Sequence, residues 1–133
     1  MSTTGPVSRK TTTHFFMATA VMETGAGLAL LMTPTMAIAL LLPGPVTNTH
    51  VALGRLAGAA LLSLGAACWW ARSDAGSAAS RALVAGMAVY NATVIAIVLT
   101  GSFGAFGRPI LSVVILVHGA MAAWCVSLLR SGR

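Results

Sequence analysis

The chain alternates between long apolar stretches and short polar connections, a pattern that predicts membrane-spanning helices. Four apolar segments lie at about residues 14–33, 51–71, 82–100 and 110–129. Each is close to the roughly 20 residues that an α-helix needs to cross the hydrocarbon core of a bilayer. The connections between them are short, which makes successive helices antiparallel. The sequence therefore predicts an all-α, integral membrane four-helix up-down bundle over residues 14–130.

The first apolar stretch continues to Leu42 and is too long for one straight span. Pro34 lies within it and cannot donate to a helical hydrogen-bond ladder, so the helix is expected to end or kink there. We expect a short interfacial segment at residues 34–42. A cleavable signal peptide, with a small-residue site near Thr35, Met36 and Ala37, is the alternative, but the apolar run is longer than such peptides usually have.

Composition and charge indicate a membrane protein and argue against nucleic-acid binding. Hydrophobic residues make up 57% of the chain and charged residues 8%, whereas soluble domains carry about 25% charged residues. The net charge of +6 follows membrane topology, because most basic residues fall on one side of a four-span chain. These are Arg9, Lys10, Arg72, Arg81, Arg130 and Arg133, with only Arg108 in a loop on the other side.

Basic residues in short loops mark the cytoplasmic face. Both termini, including the tail at residues 1–13, are therefore predicted to be cytoplasmic, as in a multi-pass protein of a bacterial inner membrane. Trp69, Trp70 and Trp124 lie near the same side and are interpreted as an aromatic belt. Cys68 and Cys125 are expected to be reduced there, and small buried apolar side chains are the simplest interpretation of both.

Five polar side chains interrupt the apolar segments at depths that approach one layer: Glu23, Arg55, Tyr90, Asn91 and His118. An ionisable group at membrane depth costs several kcal/mol unless it is neutralised or paired, so it is a functional hypothesis by default. A Glu23–Arg55 pair would keep both in the membrane, although their depths differ by about 10 Å. The alternatives are that Arg55 extends to the nearby surface and that Asn91 and His118 are structural.

Helical spacing predicts which faces meet. Thr19, Glu23 and Gly27 are four residues apart and share a face of the first helix. Gly54 and Gly58 form a G-x-x-x-G pair, which allows close approach of two helix backbones in lipid. The three histidines are predicted at different levels, so no metal or haem site is expected, and no recognisable catalytic motif is present.

The run from Arg55 to Gly65 with Cys68 and Trp69 resembles the second helix of DoxX-like small bacterial membrane proteins. Glu23, Tyr90-Asn91 and His118 are similar to positions of an uncharacterised branch of that group. The resemblance implies a four-helix bundle. For some relatives it also implies an association with quinone-linked oxidation or with membrane oxidative-stress complexes.

The sequence thus favours an accessory membrane protein that binds a small hydrophobic molecule or a partner subunit through the polar layer. A homo-oligomer is also compatible with it. A quinone-linked redox subunit is the first alternative, with a quinone as candidate cofactor and with Glu23 and His118 handling protons. A small proton-coupled transporter is the second, disfavoured because no inverted repeat is evident.

Overall fold

A computed structural model describes residues 6–101 and 109–131, and in these ranges the chain is helical without a strand. The α-helices are α1 (Pro6–Met32), α2 (Pro34–Leu41), α3 (Asn48–Ala71), α4 (Ala78–Thr100) and α5 (Pro109–Ser131), with a 3-10 turn at Arg72–Asp74. Four of them, α1, α3, α4 and α5, are long and apolar enough to cross a membrane. The prediction of an all-α chain with four helices able to span a membrane is confirmed for these residues.

The helices extend beyond the apolar segments from which they were predicted. The helix α1 begins at Pro6 rather than near residue 14, and α4 begins at Ala78 rather than near 82. For α4 a cap supports the longer start: the Ser77 hydroxyl accepts a 3.0 Å hydrogen bond from the Ser80 backbone N–H, an N-cap contact. The predicted third connection, with Arg108, and the C-terminal Arg133 lie outside the described residues.

The break at Pro34 is observed. Thr33 leaves the helical conformation with φ −131° and ψ 51°, and Pro34 starts α2 at its first turn. Proline is well tolerated there because a first-turn N–H has no partner within the helix. The expected interfacial segment is therefore a short helix of its own. At the turn that follows, Gly44 has φ 90°, a backbone conformation that favours glycine.

The chain divides into two compact units, described in turn. Unit 1 comprises Met1–Phe16 and Ala71–Arg133. Within it α4 packs against α5, and the buried side chains include Val84, Met87, Leu111, Met121 and Leu128. Phe15 and Trp124 meet edge to face with ring centroids 5.6 Å apart. Trp124 therefore packs against a buried aromatic residue, and its place in an aromatic belt stays a prediction.

Unit 2 comprises Met17–Trp70 and pairs α1 with α3. A Cβ atom added at Gly58 would lie 2.8 Å from the Gly27 carbonyl oxygen, and one at Gly65 would lie 3.1 Å from the Thr24 backbone nitrogen. Residues later in α3 contact residues earlier in α1, so the two helices are antiparallel. The close approach expected at Gly58 is confirmed, and its partner is Gly27.

Candidate functional site

An apolar groove runs between α1 and α3 within unit 2. We call it the α1–α3 groove; its volume is about 660 Å³, within the range of small-molecule sites. Its lining residues are Ala20, Val21, Thr24, Gly25, Leu28, Leu62, Gly65, Ala66, Trp69 and Trp70. The polar side-chain groups among them are the Thr24 hydroxyl and the indole N–H groups of Trp69 and Trp70.

Small side chains create the groove. The lining positions of α1 and of α3 each follow helical spacing, so each set forms one strip along its helix. At its floor Gly65 lets α3 approach Thr24 closely, because a Cβ at Gly65 would lie 2.6 Å from the Thr24 hydroxyl oxygen. Gly25, by contrast, has no atom within 4 Å of its Cβ position. The groove is therefore open beside Gly25.

Two aromatic rings border the groove near the end of α3. Trp69 is 45% and Trp70 72% exposed, and both belong to the lining. An indole presents a large apolar face and a single N–H donor. The groove thus offers apolar walls, one hydroxyl and two rings. This arrangement suits a molecule with an apolar chain or ring and little polarity.

Glu23 does not line this groove. It is 7% exposed and lies on the buried side of α1 that also carries Thr19 and Gly27, as the four-residue spacing predicted. The buried Thr19 hydroxyl has no hydrogen-bond partner in the part of the chain that the structure describes. A buried hydroxyl usually has such a partner. This side of α1 therefore carries a buried polar group whose hydrogen bond is not made within the described residues.

Arg55 is exposed and lies about two turns from Glu23 along the helix pair. A Cβ at the preceding Gly54 would lie 3.7 Å from Leu30, seven residues and about 10 Å along α1 from Glu23. This placement favours the alternative in which the Arg55 side chain extends toward the membrane surface.

The structure brings two members of the predicted layer together within unit 1. The Tyr90 and His118 ring centroids are 5.9 Å apart, with the ring planes inclined by 58°. The His118 Nδ1 atom lies 2.8 Å from the Val114 carbonyl oxygen. A carbonyl oxygen only accepts, so this contact assigns the proton of a neutral ring to Nδ1. The Nε2 atom is then an acceptor.

Asn91 is 2% exposed and bonds within its own helix. Its side-chain amide donates a 2.7 Å hydrogen bond to the Met87 carbonyl oxygen one turn earlier. Glu23 and Arg55 belong to unit 2 and the other three residues to unit 1, so the five-residue layer stays a prediction. Within residues 6–101 and 109–131 no group of three His, Cys, Asp or Glu side chains could hold a metal ion.

Sequence reasoning did not identify the α1–α3 groove. The signals it contains were interpreted separately: the small residues of α3 as packing positions, and Trp69 and Trp70 as a belt. Their common helical spacing at Leu62, Gly65, Ala66 and Trp69 is the signal that could have joined them. Comparisons with protein-family models, with curated proteins and with solved structures found no match for the chain.

Proposed function

We propose that this chain is a multi-pass protein of the bacterial inner membrane that binds one small hydrophobic molecule from the bilayer. Its termini are cytoplasmic, and it acts as an accessory protein rather than as an enzyme. The single observation that carries the binding proposal is the α1–α3 groove. Four apolar helices support the membrane assignment, and the basic residues near both termini support the orientation.

The expected ligand is an acyl or isoprenoid chain, or a flat ring, with at most one polar group. Apolar walls without charged side chains would leave a strongly polar ligand unsatisfied. A protein helix is a less suitable occupant. Helices pack closely in membranes where both surfaces carry small residues, and the bulky indole rings of Trp69 and Trp70 keep a second helix backbone at a distance. Membership of the DoxX-like group is likewise a proposal, and it is compatible with a small membrane protein that binds a hydrophobic molecule.

A second candidate function is a quinone-linked redox subunit, and the Tyr90–His118 contact is the observation that favours it. A histidine whose Nδ1 bonds a carbonyl presents Nε2 as a proton acceptor, and the Tyr90 ring has its centroid 5.9 Å from that of His118. A partner protein would supply the electrons, while Tyr90 and His118 would exchange protons with the quinone oxygens.

Native mass spectrometry of protein released from membranes in a mild detergent tests the binding proposal. We expect one hydrophobic molecule per chain, beyond any anionic phospholipid, retained at a defined mass after detergent is removed. A quinone among the retained molecules supports the redox candidate, and an acyl lipid or other apolar compound supports the accessory binder. Protein that emerges bare, or with a random ladder of lipids, contradicts both.

A further inference from the structure

A second cleft lies in unit 1, at the start of the first candidate span. Its described lining residues are Arg9, Lys10, Thr13 and His14, and its volume is about 460 Å³. The candidate span of α1 runs from Arg9 to Met32. The cleft is therefore located where α1 would leave the hydrocarbon core, at the level of lipid headgroups. None of these residues lines the α1–α3 groove.

Contacts with the α3–α4 connection hold this part of α1 in place. The Thr13 hydroxyl lies 3.2 Å from the Arg72 carbonyl oxygen and 3.1 Å from the Arg9 carbonyl oxygen, so its single hydrogen is shared between them. The Arg9 side chain packs over Gly76, where an added Cβ would lie 3.2 Å from Arg9 Nε. Glycine at position 76 thus leaves the room that the guanidinium occupies.

The charge balance of unit 1 leaves these cations in excess. Five Lys and Arg residues of unit 1 lie in the part of the chain that the structure describes, against one acidic side chain, Asp74: Arg9, Lys10, Arg72, Arg81 and Arg130. Asp74 is exposed on the 3-10 turn and is the only acidic side chain among the described residues of this unit that could compete for Arg9 or Lys10. One carboxylate cannot balance the surrounding positive charge, so the cleft attracts an anion from outside the chain.

We propose that this cleft binds the phosphate headgroup of an anionic phospholipid in the leaflet where α1 begins. The Arg9 guanidinium offers paired N–H donors that match two phosphate oxygens, and the Lys10 ammonium adds a second positive charge. Thr13 and His14 give the cleft polar walls. Basic pockets at the ends of membrane helices bind anionic headgroups in this way. Free phosphate shares the chemistry but lacks the chains that would hold it at this depth.

The test measures phosphatidylglycerol binding to the purified full chain by native mass spectrometry, with phosphatidylcholine as the neutral comparison. We expect wild-type protein to retain phosphatidylglycerol selectively. The R9Q/K10Q variant should bind it roughly thirty-fold more weakly, the loss expected for two cationic contacts at a membrane surface. The charge-preserving R9K/K10R variant should keep most of the selectivity. If R9Q/K10Q fails to insert, K10Q alone should lose roughly fivefold.

The R81Q/R130Q variant is the matched control, because it removes two positive charges from exposed positions of the same unit outside the cleft. It should bind phosphatidylglycerol nearly as well as wild type. Equal weakening in R81Q/R130Q would show a general charge effect and overturn the proposal. Unchanged binding in R9Q/K10Q, or in K10Q where only that variant inserts, would also overturn it. So would displacement of the lipid by millimolar inorganic phosphate, which would mark a site for the free anion.

Discussion

Glu23 is the residue whose environment needs most explanation, since a carboxyl group is expensive inside a membrane. It is buried on the side of α1 that carries Thr19 and Gly27, and it is not among the groove-lining residues. Sequence reasoning predicted this shared side from spacing alone. It could not predict the exposure of Arg55, because the relative register of α1 and α3 depends on which glycines meet.

The Glu23→Gln variant separates a structural polar layer from a binding one. Glutamine keeps the size of the side chain and its capacity to hydrogen-bond, so we expect normal insertion and a nearly unchanged melting temperature. Because Glu23 does not line the groove, the bound hydrophobic molecule should be retained at wild-type occupancy. Loss of that molecule in E23Q, measured by native mass spectrometry, would indicate instead that the ligand binds at the polar layer, as the sequence analysis predicted.

Glu23 and Arg55 should act independently in a double-mutant cycle. The two positions are separated by about two helical turns, and sites more than about 7–10 Å apart without shared partners give stability changes that add within about 0.5 kcal/mol. The measurement is the free energy of unfolding in detergent for E23A, R55A and the double variant. A coupling energy above 1 kcal/mol would indicate that the side chains pair.

His118→Gln tests the redox candidate. The substitution removes the proton acceptor beside Tyr90 but keeps a side chain able to bond the Val114 carbonyl oxygen. If the redox candidate is right, quinone reduction by membranes that contain the protein should fall by about tenfold or more, within the range of a lost acid–base group. Activity equal to wild type, with the variant present at normal levels, would leave the accessory binder as the function.

At the scale of the elements, glycines decide how α1 and α3 meet. The sequence identified Gly54 and Gly58 as a close-contact pair, and the structure supplies the partner, Gly27. Composition could not distinguish Gly25 from Gly27, which lie two residues apart. Residues two positions apart in an α-helix point in directions about 200° apart around the helix axis, so Gly25 and Gly27 face different sides of α1. One glycine therefore packs against α3 and the other opens onto the groove.

Gly27→Ala and Gly58→Ala should both destabilise unit 2. In each case the new Cβ would lie 2.8 Å from a carbonyl oxygen of the opposite helix, and relieving that overlap forces the backbones apart. We expect a loss of about 1–3 kcal/mol, the usual cost of overpacking. Gly25→Ala is the matched control and should cost nothing measurable. Thermal unfolding in detergent provides the comparison, and equal melting temperatures for all three variants would refute the contact.

At the scale of the whole molecule, hydropathy predicted the number and class of the spanning helices because membrane helices must be long and apolar. It did not predict their full lengths, since capping side chains such as Ser77 extend helices beyond the apolar stretch. The groove could not be predicted either, because it arises from the packing of two helices rather than from any one segment.

The proposed groove ligand is tested most directly by filling the groove at Gly25. The Cβ position of Gly25 has no neighbour within 4 Å, so Gly25→Leu should place an isobutyl group in the groove without disturbing the α1–α3 contact. Gly86→Leu is the matched control, because the Cβ position of Gly86 on α4 is equally open and does not line the groove. The measurement is the occupancy of the bound hydrophobic molecule by native mass spectrometry. We expect occupancy to fall at least tenfold in G25L and to stay at the wild-type value in G86L. Full occupancy in G25L would contradict binding in the groove.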